Sequence, residues 1–371
     1  MTTEQHMQRA ISLAQSVLSA APNPRVGCVI VRDGVVVGEG WHARAGQAHA
    51  EVNALAMAAD KAVGATVYVS LEPCAHTGKT PPCADALIRA GVAQVVYASP
   101  DPNPQVAGKG LERLRQAGIT VRGPVLREQA DAVNSGFIKR MTEGLPWVRC
   151  KMAMSLDGRT AMASGESKWI TGPASRADVQ RMRASSCAVV TGVNTVISDD
   201  PGLNVRPEQL SEVDLAIVGD RQPRRVILDS ALRTPPDSRI FSLPGHALLL
   251  TGRPHDQQRA RFDGVDVEIR NLPVIPGGRL DLHAAMLCLA QHYACNEVML
   301  EAGPTLSGAM VQSGLVDEVV IYIGARFLGS DALPLFNLPG INRMQDHIAL
   351  KITDVKQIED DCRITARLQR V

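Results

Sequence analysis

The chain has 371 residues, 39 of them basic and 38 acidic, for a formal net charge of +1, and 45% of it is hydrophobic. That length implies two domains and that apolar share fills a core in each, so disorder and fibrous architectures are excluded. Near neutrality argues against a dominant nucleic-acid or membrane surface but leaves room for a local basic pocket, so the expected partner is a small phosphorylated molecule.

Met7, Ala10, Ile11, Ala14, Val17 and Leu18 recur at spacings of three and four, which predicts an opening amphipathic helix that stops at Ala21-Pro22-Asn23-Pro24. The start Met1-Thr2-Thr3-Glu4 carries no basic leader, and no stretch approaches about 18 consecutive apolar residues, so the expectation is a cytoplasmic protein without a membrane segment. Apolar runs at 26–31 and 35–37 flank Asp33-Gly34, a hairpin signature. Helix and strand then alternate: helices at 49–62, 83–90, 108–117 and 127–141, strands at 66–71, 93–99 and 119–122. The pattern predicts helices layered around one sheet. At Glu143-Gly144-Leu145-Pro146 the helix breaks before a strand at Trp147, which places a domain boundary between 1–145 and 146–371. The second part reads as strands at 147–154, 187–191, 225–228, 247–251, 297–301 and 318–323 with helices at 173–184, 282–292 and 304–313, a larger α/β domain.

Eight cysteines are too few and too scattered for a disulfide scaffold. Cys28, Cys150, Cys187, Cys288, Cys295 and Cys362 have apolar or strand-like flanks and read as core. Cys74 and Cys83 differ. Cys74 follows a strand at Glu72-Pro73, Cys83 opens a helix behind Pro81-Pro82, and His49-Ala50-Glu51 opens another. Both thiols are expected at helix N-termini, where partial positive charge favours thiolates. One His and two Cys make three zinc ligands, which leaves a position for water and favours a catalytic over a structural site. Glu51, beside a ligand, suits a proton shuttle. His-x-Glu with Pro-Cys is the arrangement of zinc nucleobase deaminases, although eight residues here separate cysteines that are two apart in that signature. His76 could be a fourth ligand or a substrate hydrogen-bonder, Asn23 a turn residue and His42 a polar strand end.

Pro22-Asn23-Pro24-Arg25-Val26-Gly27, His49-Ala50-Glu51, the run Glu72 to Cys83, Asp101-Pro102-Asn103-Pro104, Ser155 to Arg159, Gly165-Glu166-Ser167, Trp169-Ile170-Thr171, Asp199-Asp200-Pro201 and Glu301 to Leu306 closely resemble the RibD family, bifunctional riboflavin-biosynthesis proteins that fuse a pyrimidine deaminase to a reductase. The long cysteine spacing matches that family. The resemblance implies a cytidine-deaminase-like three-layer domain followed by a dihydrofolate-reductase-like α/β domain, with Zn²⁺ and NADPH as cofactors and a homo-oligomer, dimer or tetramer. It implies hydrolytic deamination of 2,5-diamino-6-ribosylamino-4(3H)-pyrimidinone 5′-phosphate, then reduction of the ribosyl group to ribityl. His49, Cys74 and Cys83 would hold zinc, Glu51 would move protons, and Asn23, His42, His76 and Lys79 would contact the first substrate.

No Gly-x-Gly-x-x-Gly follows a strand; Gly38-Glu39-Gly40 and Gly108-Lys109-Gly110 are fragments. The turn Gly303-Pro304-Thr305-Leu306-Ser307, between a strand and a helix with Pro at its first position, can cradle a phosphate with backbone N–H groups. By resemblance Ala153, Trp169, Thr195, Asp199 and Ser230 also contact the cofactor, and Ser167, Arg183, Leu203, Arg206 and Glu301 the second substrate. Two other readings stand beside this one: a deaminase of another nucleotide or RNA base whose second part only binds, and a non-catalytic zinc-stabilised module.

Overall fold

In the computed structural model, which describes residues 1–76, 81–104 and 106–369, Asp33 and Gly34 take φ of 51° and 77°, the left-handed pair that a two-residue hairpin turn requires. They join Gly27–Arg32 (β1) to Val35–Trp41 (β2). Thr66–Leu71 (β3), Gln94–Ser99 (β4) and Thr120–Arg122 (β5) complete a sheet of order β2-β1-β3-β4-β5, antiparallel on the hairpin side and parallel from β3 outward. Alternate strand residues face opposite layers. Cys28, Ile30, Val67, Val69 and Val95 meet the helices Ala50–Ala58 (α2), Cys83–Arg89 (α3) and Lys109–Gln116 (α4). Val29, Val31, Tyr68 and Val96 meet Thr3–Gln15 (α1) and Arg127–Val133 (α5). These elements belong to one compact unit, Met1–Gly144.

Two departures from the sequence reading have local causes. The helix expected over 49–62 starts at Ala50, with His49 as its extended cap, and ends at Ala58 in a 3-10 turn where Ala59 takes φ 49°. The helix expected over 127–141 is two, α5 and Ser135–Glu143 (α6). Asn134 leaves helical geometry between them, and its side-chain amide bonds both the N–H and the carbonyl of Arg25, each at 2.8 Å.

Close contacts of backbone on backbone place the functional segments. α2 lies against β2 because Gly38 and Gly40 have no side chain: a Cβ there would stand 2.3 Å from the Ala54 carbonyl and 2.4 Å from that of Ala50. Gly110 in α4 supports the Pro73 carbonyl in the same way, with a Cβ only 1.7 Å away. Gly110→Ala is expected to destabilise this unit by about 2–4 kcal/mol and to lower zinc occupancy, since Cys74 follows Pro73 directly; melting curves and elemental analysis check both.

The second unit, Leu145–Val371, holds a nine-stranded sheet. The strands of this sheet and its main helices are Trp147–Ser155 (β6), Pro173–Ser185 (α7), Ala188–Gly192 (β7), Val193–Asp199 (α8), Arg224–Leu228 (β8), Ala247–Thr251 (β9), Glu268–Asn271 (β10), Leu282–Gln291 (α9), Glu297–Leu300 (β11), Pro304–Gln312 (α10), Glu318–Gly324 (β12), Leu350–Ile358 (β13) and Asp361–Leu368 (β14). The order is β10-β9-β8-β7-β11-β6-β12-β14-β13, parallel from β10 to β12 and antiparallel at β14 and β13. α9 and α10 cover one face through Met286, Leu289 and Met310, and α7 and α8 the other through Val179, Val193 and Val196. The hairpin β13–β14 was not among the expected strands. β13 is solvent-exposed along almost its whole length, and a bulge between Ile352 and Asp354 breaks the alternation that marks a half-buried strand. No helix among the described residues is long and apolar enough to cross a membrane.

Candidate metal and cofactor sites

Three segments bring the candidate metal ligands together. His49 caps α2 with extended backbone (φ −73°, ψ 165°), so its ring stands at the helix start, and Glu51 is buried in the first turn with 3% exposure. After β3 the chain is fastened by the buried Glu72, whose Oε2 accepts the backbone N–H groups of Asp101 and Gly108 at 3.3 and 3.1 Å. This fixes the stretch that carries Cys74. Cys83 is the first residue of α3, and its N–H donates to the Cys74 Sγ at 3.3 Å.

His49 Nδ1 lies 3.2 Å from Cys83 Sγ and 3.7 Å from Cys74 Sγ, and the three ligand atoms fall within 4.8 Å of one another. Tetrahedral zinc, bonded at about 2.3 Å to sulfur and about 2.0 Å to nitrogen, sets its ligands roughly 3.5–3.8 Å apart. The donor set and spacing therefore fit zinc. The thiols also share a proton: the Cys83 side chain holds the Cys74 thiol far below its ordinary range, aided by His49, while Cys83 is pushed up by that partner and by burial. One thiolate is thus favoured before any metal binds. Cys74 departs from expectation in one respect, because it lies in irregular chain rather than at a helix N-terminus; it shares the start of α3 only through the Cys83 N–H. His76 is exposed and outside the cluster, and Lys79 lies outside the described residues.

Beside the ligands, Asn23 Nδ2 and His42 Nε2 are 2.9 Å apart, and His42 Nδ1 is 3.1 Å from the Ala48 carbonyl. Burial pushes the His42 imidazole below its ordinary value. The neutral ring then donates from Nδ1 to Ala48 and accepts the Asn23 amide at Nε2, which orients that amide. Its ring packs edge-on against His49, centroids 5.0 Å apart. Glu51 is pushed up to about 7 by burial and by the Cys74 thiolate.

In the second unit the C-terminal ends of the parallel strands gather charge. Arg183, on α7, is buried and grips Glu301, just beyond β11, through Nε and Nη2 at 2.6 and 2.9 Å, with Nη1 on the Asn204 carbonyl at 2.9 Å. Lys151, on β6, stands level with Glu301 in the strand register. Burial pushes its amine below the ordinary value, Glu301 opposing and Arg183 adding. Burial would raise Glu301, but Arg183, then Lys151 and Arg206, hold it below the usual carboxylate range. Sequence reasoning missed Lys151; the available signal was charge at Arg149 and Lys151, alternating with apolar residues inside a strand that turns out central. Arg206 is half-buried, its N–H on Gln180 Oε1 at 3.1 Å, and burial with the neighbouring Arg183 and Arg239 lowers its guanidinium. Leu203 is buried with φ 51°.

The remaining cofactor candidates come from several elements of this unit. Gly303 caps α10, Pro304 is its first residue, and a Cβ on Gly303 would meet nothing within 4 Å. The N–H groups of Thr305 and Leu306 lack intrahelical partners there, so the open turn fits a phosphate group of NADPH. Ser307 does not line it: the residue is fully buried and its hydroxyl donates to the Ala302 carbonyl at 3.2 Å. Thr195 is half-buried on α8, Asp199 exposed at its end, and Ser230 follows β8. Ala153 is on β6, its carbonyl accepting Thr160 Oγ1 at 3.1 Å. Ser167 and Trp169 stand exposed on a loop, with the Arg176 guanidinium 4.4 Å over the Trp169 ring.

Sequence models of the cytidine and deoxycytidylate deaminase zinc-binding region and of the RibD C-terminal domain match residues 1–99 and 146–364. The chain is 49% identical to the riboflavin biosynthesis protein RibD of Escherichia coli K12, over 97% of this chain and 98% of that one. It is 47% identical to RibD of Haemophilus influenzae, over 97% and 95%. The solved structure of Acinetobacter baumannii RibD, form 1, superposes with a TM-score of 0.89 at 45% identity, covering 99% of both chains. That of the Thermotoga maritima diaminohydroxyphosphoribosylaminopyrimidine deaminase/5-amino-6-(5-phosphoribosylamino)uracil reductase gives 0.83 at 31%, covering 99% and 98%. The fold is accordingly cytidine-deaminase-like in the first unit and of the dihydrofolate-reductase-like RibD type in the second.

Proposed function

The chain belongs to the RibD family, and from that membership we propose which of its side chains carry each of its two reactions. It is a bifunctional riboflavin-biosynthesis enzyme, a zinc-dependent deaminase joined to an NADPH-dependent reductase. The first reaction removes ammonia hydrolytically from 2,5-diamino-6-ribosylamino-4(3H)-pyrimidinone 5′-phosphate, and the second reduces 5-amino-6-(5-phosphoribosylamino)uracil to the ribitylamino product.

The observation that carries the reading is the convergence of His49, Cys74 and Cys83 beside the buried Glu51. His49, Cys74 and Cys83 would hold a zinc ion there, which would supply Lewis acidity for activating water. Glu51 takes the proton of the attacking water on its carboxylate and returns protons to a ring nitrogen and to the departing amine. Asn23, oriented by neutral His42, bonds the pyrimidine edge, and His76 and Lys79 reach the rest of the ribotide. In the reductase unit NADPH supplies the hydride, and the protein aligns it. Glu301, kept ionised by Arg183 and Lys151, faces the positive charge that develops at the ring-opened sugar carbon. Arg206, among cations with few counter-charges, holds the substrate phosphate with Ser167 and Leu203 beside it, while Ala153, Trp169, Thr195, Asp199, Ser230 and the Gly303–Leu306 turn hold the cofactor.

We assign both reactions to the cytoplasm, where eight cysteines outside any disulfide stay reduced, and infer a homo-oligomer, supported by Leu350, Ile352 and Val355, which are exposed on the edge strand β13. Incubating the zinc-loaded chain with the ribotide and NADPH is expected to release ammonia before NADPH is consumed, with deuterium passing from labelled cofactor to the sugar C1′. Ammonia from cytidine or deoxycytidylate but not from the ribotide, with no deuterium transfer, would favour the other-nucleotide reading.

A further inference from the structure

Lys151 and Glu301 lie on neighbouring strands of the second unit's sheet. The C-terminal ends of the parallel strands stand in the order β6, β11, β7, β8, β9, about 4.8 Å apart. Lys151 and Glu301 fix the reacting centre at β6 and β11, and the turn that opens α10 follows β11. A dinucleotide with its diphosphate on that turn and its nicotinamide toward β6 would extend its adenosine half the other way, over β7 and β8. NADPH differs from NADH by one phosphate dianion on the adenosine ribose, one sugar beyond the diphosphate, and two strand spacings are roughly 10 Å.

The loop after β8 is built to present one cation at that place. Asp229 is fully buried, and its Oδ2 accepts both the N–H and the hydroxyl of Thr234 at 2.7 Å. Leu232 is fully buried in the core with φ 51°. The carbonyls of Ser230 and Ala231 accept the Gly252 N–H and the Gln258 amide, each at 3.1 Å. Between these anchors Arg233 is exposed, and its Nη2 donates to Asn194 Oδ1 at 2.7 Å, next to Thr195 at the start of α8. A neutral amide fixes the guanidinium without cancelling its charge. Among the described residues no carboxylate pairs with Arg233, and most of its N–H donors remain for a second partner.

We propose that Arg233, positioned by Asn194, binds the 2′-phosphate of NADPH and sets the preference for NADPH over NADH. The assignment rests on the reductase reading, and the test separates the two. Dissociation constants of NADPH, NADH and 2′,5′-ADP for the full chain, from cofactor fluorescence and calorimetry, are compared among wild type, Arg233→Gln, Arg233→Lys, Asn194→Asp and Arg253→Gln, Arg253 being the exposed cation that follows the next strand, β9. Arg233→Gln is expected to weaken NADPH and 2′,5′-ADP at least tenfold and to leave NADH within twofold. Lysine keeps part of the selectivity, because it retains charge but not the fork. Asn194→Asp, which sets a carboxylate against the guanidinium, weakens NADPH but not NADH, a split that simple loosening of the loop would not produce. An unchanged NADPH-to-NADH ratio in Arg233→Gln overturns the proposal, as does a ratio that collapses in Arg253→Gln instead. A wild type that binds no dinucleotide overturns the reductase reading with it.

Discussion

Glu51→Gln is expected to lower deamination by about 10²–10⁴-fold, the span of general acid–base catalysis, while zinc content and thermal stability stay at wild-type levels. Glu51 is buried beside, not within, the ligand set, so the isosteric amide fills the same space and removes only the proton carrier. Reduction of the deaminated ribotide, supplied directly, serves as the control and should not change. Ammonia release, elemental analysis and melting curves on one preparation decide the matter: undiminished turnover with full zinc would remove the proton-shuttle role, and loss of zinc together with the fold would mark the site as structural.

Arg183→Leu is expected to destabilise the second unit by about 3–5 kcal/mol, because it strands the Glu301 carboxylate in a buried place with its bidentate partner gone. The double variant Arg183→Leu/Glu301→Leu should regain most of that stability and still fail to oxidise NADPH. Glu301 has a folded-state pKa below its unfolded one, so the pair's contribution is complete above the unfolded value and fades as pH falls through the folded value. The gap between wild type and Arg183→Leu should therefore narrow in acid, below the usual carboxylate range. Denaturant melts from neutral pH downward measure it, and a gap that stays constant would mean Arg183 acts through packing alone.

Local patterns told most of the fold. Asp33-Gly34 dictated its own hairpin, and the candidate zinc ligands His49 and Cys83 were legible because each sits at the start of a helix, while Cys74 was legible from its Pro-Cys context after β3. What escaped depends on distant partners. Asn134 looks like any helix residue until Arg25 is brought beside it, and Arg183 reads as a surface cation until Glu301 arrives from 118 positions away. Ser307 seemed as suited to a phosphate as Thr305, yet the inward turn of α10 spends its hydroxyl on Ala302. β13 stayed hidden because exposure leaves no hydrophobic period to read.

Gly38 and Gly40 carry a lesson about tolerance to change. Judged by residue type they resemble a stray piece of a nucleotide-binding loop, and judged by chemistry they carry no reactive side chain. Yet the helix that His49 caps and whose first turn holds Glu51 rests on those two bare α-carbons, so even one added methyl would push Glu51 and His49 outward together. In a saturation library these two sites should rank with the ligands themselves in intolerance, while Val35 and Val36 on the same ribbon accept almost anything.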